Sequence, residues 1–143
     1  MNPEVGTILG LTAQKIAMGF GEHGAAFAQG TVGLLGIMLS LSAKEYDRGA
    51  DIRFNENSDL RALFAAIAPA IGDTALRAKL EVAAAGAETS LRISTLNESN
   101  YALRRLLDEA LIYAESNGAR DIERRIWAVM KELAARRLVS LAP

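Results

Sequence analysis

Apolar residues recur at intervals of three and four over most of the chain, the spacing that lines one face of an α-helix. One stripe runs Leu39, Ala43, Tyr46, Ala50, Arg53, Asn57, Leu60, Phe64, Ile67, Ile71. A second runs Leu96, Asn100, Leu103, Leu107, Ala110, Ala114. No segment keeps up a period-two alternation between turn signals, so no strand is predicted. The breaks are equally readable. Asn2, Pro3 and Glu4 form a helix start, and the Gly19–Gly24 cluster interrupts the first helix. Gly72-Asp73 pairs a stop glycine with an N-cap aspartate, and Asn117-Gly118 is a further stop.

These signals predict helical stretches over 3–19, 25–71, 73–117 and 119–138. Two polar knots, Asn55-Glu56-Asn57-Ser58-Asp59 and the capping-box pair Thr95 and Glu98, could break the middle stretches into shorter helices. The stripes continue through both knots, and continuous helices are the expectation. The fold class that follows is all-α: an antiparallel bundle of about four helices built on a long central helical hairpin. A tight turn at 72–73 would fold the two long stretches together. Residues 1–143 are expected to form one domain.

Charge divides the chain. Residues 1–43 contain three formal charges, Glu4, Lys15 and Glu22, but eight of the twelve glycines. Residues 44–143 carry fifteen charges of each sign, as solvated amphipathic helices do. Within the first part, Gly24 to Ala43 is a run of twenty uncharged residues, about the length that spans a bilayer. Gln29, Thr31, Ser40, Ser42 and four glycines make it a poor span, with only a weak basic bias at its flanks. The start of the chain lacks the basic residues of a signal peptide, and a cytoplasmic protein is expected.

Composition removes several chemistries. With no cysteine and one histidine, N/S zinc sites, cysteine nucleophiles, disulfide scaffolds and di-iron bundles are excluded. A net charge of −1 argues against nucleic-acid binding. Gly19-Phe20-Gly21-Glu22-His23-Gly24 has the letters of a dinucleotide-binding loop but no preceding strand, and reads as a helix connection. No cofactor is expected.

Three sets of residues remain as candidates. Arg53 and Asn57 fall on the apolar stripe, and a turn at 72–73 would set Arg53 opposite Arg92 and Asn57 opposite Glu88. A buried arginine requires a partner, and Glu88 is the carboxylate expected to supply it. This polar layer could hold a small anionic ligand through Arg53, Asn57, Glu88 and Arg92. Asp47 with Asp51, and Glu56 with Asp59, share helix faces in pairs that could hold magnesium for diphosphate chemistry, although basic neighbours favour a solvated face. Gly30, Gly33, Gly36 and Ile37 lie in the neutral run, where small residues would let another helix approach closely. The last helix, with Trp127 on its flank and expected Asp121–Arg125 and Glu132–Arg136 pairs, could also meet a protein partner. The function expected first is a non-catalytic helical protein that forms a homo-oligomer, dimer or tetramer, or binds a protein partner. A membrane role is not expected, and enzymatic activity is left open.

Overall fold

The computed structural model describes residues 5–19 and 26–138, and among them every regular element is helical. The helices are α1 (Val5–Gly19), α2 (Ala26–Ile67), α3 (Thr74–Ala85), α4 (Ile93–Ser116) and α5 (Arg120–Arg136). A single 3-10 turn, Ala68–Ala70, follows α2. The expected helix start at Asn2–Glu4, and the glycine break at 20–25 with His23, lie outside the described residues.

Two compact units divide at Gly49 and Ala50, within the span of α2. The second, Ala50–Leu138, contains the hydrophobic core. Leu60, Phe64 and Ile67 come from α2, Leu76 and Leu80 from α3, Leu103, Leu107, Ala110 and Ala114 from α4, and Ile122, Ile126 and Leu133 from α5. Each set repeats at helical spacing, and fully burying one such Leu, Ile or Phe side chain contributes about 1.5–3 kcal/mol.

Local chemistry explains the boundaries. Alpha-2 ends where Pro69 enters the first turn of the 3-10 segment, since proline cannot donate the next helical hydrogen bond. Gly72 therefore is not the helix stop; its N–H instead donates to Tyr113 Oη at 2.8 Å. Asp73 does cap α3, its Oδ1 accepting from the N–H groups of Ala75 at 2.8 Å and Leu76 at 3.1 Å. At the far end of α4, Gly118 adopts a φ of 63°. The Gly118 N–H donates to Glu115 O and that of Ala119 to Ala114 O, the paired bonds of a Schellman cap.

The two long stretches behave differently. Residues 55–59 stay helical, because Glu56 and Asn57 turn into the fold and Asn55 Nδ2 bonds back to Asp51 O at 2.9 Å. The stretch 73–117 is broken, and at 86–92 rather than at 95–100. Gly86, in extended backbone at φ −69° and ψ 161°, ends α3. A Cβ there would stand 2.4 Å from Arg61 Nη1, the end of an arginine side chain reaching over from α2.

In the first unit, Ala13 of α1 and Gly36 of α2 are buried. Ile8 and Leu11 of α1 are exposed, as are Leu34, Leu35, Ile37 and Met38 of α2. No helix among the described residues is long and apolar enough to cross a membrane.

Candidate functional site

The interior of the second unit holds a polar layer. Glu56, Asn57 and Asn100 are its fully buried members. Glu56 and Asn57 are neighbours on α2, and Asn100 faces them from the second stripe on α4. Burying a carboxylate is costly unless it is paired, and Glu56 is paired heavily. Arg137, at the end of α5, meets it with a two-pronged contact, Nε to Oε1 and Nη2 to Oε2. Asn100 Nδ2 donates to Oε2 at 3.3 Å. Arg104 Nη2 and Arg53 Nη1 stand 3.6 and 3.8 Å from the same oxygen. Burial raises the Glu56 pKa, but the Arg137 hydrogen bond and the charges of Arg137, Arg104 and Arg53 outweigh it, and the carboxyl is held below its ordinary value.

Asparagines carry the layer across the unit. Asn100 Nδ2 also donates to Asn57 Oδ1 at 2.8 Å. Asn57 Nδ2 donates at 3.1 Å both to Leu96 O and to Glu88 Oε1. That Glu88 oxygen further accepts from Arg61 Nη2 at 3.0 Å and Ser99 Oγ at 2.9 Å. Arg61 Nη1 donates to Ala83 O at 2.7 Å, while its buried Nε has no partner.

The residues expected in the anion-binding layer are therefore distributed differently. Asn57 does meet Glu88. Arg53, however, does not pair with Glu88 or lie in the expected register; its Nε donates to Asn97 Oδ1 at 2.8 Å. Arg61 takes Glu88 instead. The irregular segment 86–92 causes the change, because it resets the register of α4 against α2 from that of a continuous helix. Arg92 is exposed at the start of α4. Sequence reasoning missed Arg61, Arg104 and Arg137. Arg104 follows Asn100 by one turn and could have been found; the others depend on tertiary placement.

The acidic candidates also separate. Asp51 is exposed and accepts from Asn55 Nδ2 at 2.9 Å, and Asp59 pairs with Arg136 at 2.7 Å. Glu56 is surrounded by guanidinium groups, which would oppose a cation. The side chain of Asp47 lies outside the described residues. Among the described residues no group of three or more His, Cys, Asp or Glu gathers as a metal site would require.

On α5, Asp121 pairs with Arg124 at 3.1 Å rather than with Arg125, and Arg136 reaches across to Asp59. Trp127 is half exposed beside Arg120, Glu123 and Arg124 on a shallow surface. In α2, Gly30, Gly33 and Ile37 are exposed and Gly36 is buried. A Cβ added at Gly30 or Gly33 would meet nothing within 4 Å.

Comparison with protein-family models, curated proteins and solved structures yields no match for this chain.

Proposed function

We propose that this protein is a non-catalytic helical protein that self-associates through the uncharged face of α2. The observation that supports it is a helix apolar on two opposite sides, only one of which is covered. Gly36 is buried, with Val32, Leu39 and Ala43 half-buried beside it. On the other side Leu34 is 59%, Ile37 46% and Met38 56% exposed, with Leu41 half-buried one turn further. Helices that are apolar all round are normally covered all round.

A second copy of this chain is the occupant proposed. The uncharged surface offers nothing to repel itself, and a two-fold pairing places the same patch on both sides. Gly30 and Gly33 would let two backbones approach closely at the contact. Arginine-rich or acidic partners would find no complementary charge there.

Absolute mass by light scattering on a sizing column, without detergent, tests the reading. The expected result is a discrete dimer or tetramer at micromolar concentration. Gly33→Leu adds a side chain where the single chain has open space, so it should lower the mass to that of a monomer without reducing helical content. Ile37→Glu should do the same. A monomeric parent protein, or assembly untouched by both substitutions, would exclude this interface.

A further inference from the structure

We infer that Arg53 and Arg104 form a clamp for the phosphate group of a small soluble molecule, a site separate from the α2 surface proposed for self-association. Their chemistry differs from that of the other arginines in the polar layer. Each is anchored through Nε by an asparagine amide oxygen: Arg53 by Asn97 at 2.8 Å and Arg104 by Asn100 at 3.0 Å. Asn97 and Asn100 lie one turn apart on α4, and Asn100 is itself held by its bond to Asn57. The two guanidinium groups are thus positioned by their inner nitrogens, leaving the outer forks for other work.

Among the described residues those outer nitrogens make no hydrogen bond. Their one ionic neighbour is Glu56 Oε2, at 3.8 Å from Arg53 Nη1 and 3.6 Å from Arg104 Nη2. The Glu56 carboxylate is already engaged on both oxygens by Arg137 and on Oε2 by Asn100. Two positive charges therefore converge on a carboxylate committed elsewhere, and they repel each other. A second anion outside them would relieve that repulsion.

The spacing of the two guanidinium groups admits a phosphate. Because both nitrogens lie within 4 Å of one Glu56 oxygen, their separation cannot exceed the two contact distances together. Two oxygens of one phosphate can accept from donors so spaced, each through a charge-assisted bond of about 2.8 Å. The side chains are 24% and 34% exposed, open enough for a small ligand to reach and covered enough to limit screening by salt. Arginine suits this task better than lysine, since its fork fits phosphate oxygens in pairs.

The test is a titration of the intact protein with inorganic phosphate at constant ionic strength, followed by NMR of the arginine Nε–H signals. Saturable shifts are expected at Arg53 and Arg104 and at the Asn97 and Asn100 side-chain amides. Glycerol phosphate should bind at the same place. Arg53→Gln and Arg104→Gln should each weaken binding about tenfold, the loss of one charge-assisted contact. Arg124→Gln, on the exposed face of α5, should leave it unchanged.

Absence of saturable shifts in the parent protein would overturn the proposal, whether or not the variants fold. So would equal shifts with chloride, undiminished binding by both Gln variants, or binding confined to phosphatidic acid vesicles.

Discussion

Glu56 shows how a single side chain can be both costly and necessary. With no exposed surface it has lost its hydration, and its ionised form survives because arginines from its own helix, α4 and the end of α5 surround it. Glu56→Gln keeps the shape but leaves those guanidinium groups without their countercharge. The expected loss is about 3 kcal/mol, below the top of the range for broken buried pairs because the arginines keep some water. Urea denaturation at neutral pH measures it. Protonation should act in the same direction. Since the folded pKa is depressed, the stabilisation is present in full above the ordinary carboxylate value of about 4.3 and is lost as pH falls through the lower folded value. The denaturation midpoint should therefore drop below about pH 4, and Glu56→Gln should flatten that part of the profile. A variant with the parent's acid slope would show that other carboxylates carry it.

Helix ends repeat the same logic with backbone groups. Asp73 satisfies two N–H groups at the start of α3, and Asp73→Ala should cost about 1 kcal/mol in a denaturant titration. Gly118 closes α4 with its φ of 63°, where an L side chain is strained; Gly118→Ala should cost about 1 kcal/mol. Equal stability of either variant with the parent would remove the corresponding cap from the account. Both boundaries were legible because their causes lie within a few residues of them. Gly86 was not legible. It stands in an alanine-rich stretch of good helix formers, and the Arg61 side chain that lies against it comes from another helix. At 55–59 the expectation of a continuous helix holds: the polar letters resemble a loop, yet tertiary partners turn Glu56 and Asn57 inward and the helix runs on.

Over the whole molecule, the change in charge after residue 43 falls a few residues before the division of the chain into two compact units at Gly49 and Ala50. The apolar cluster of the second unit is formed by residues between Leu60 and Leu133, and its polar layer closes within the same unit. A chain of residues 50–138 should accordingly fold alone and melt in one cooperative transition, observable by circular dichroism. A fragment without such a transition would mean that this core needs residues before Ala50. The neutral first part carries the exposed apolar helix face formed by Leu34, Ile37 and Met38, the face proposed for self-association.

The sequence by itself determined the all-helical class, the caps at Asp73 and Gly118, and most of the core stripe, because helical periodicity and capping act over one or two turns. It also put Arg53, Asn57 and Asn100 on buried stripes as polar exceptions. Tertiary structure alone decided their partners. Long arginine side chains reach across several turns, and a break of a few residues at 86–92 resets which groups face one another. Arg61 rather than Arg53 thus holds Glu88, while Arg137, remote in sequence, closes on Glu56.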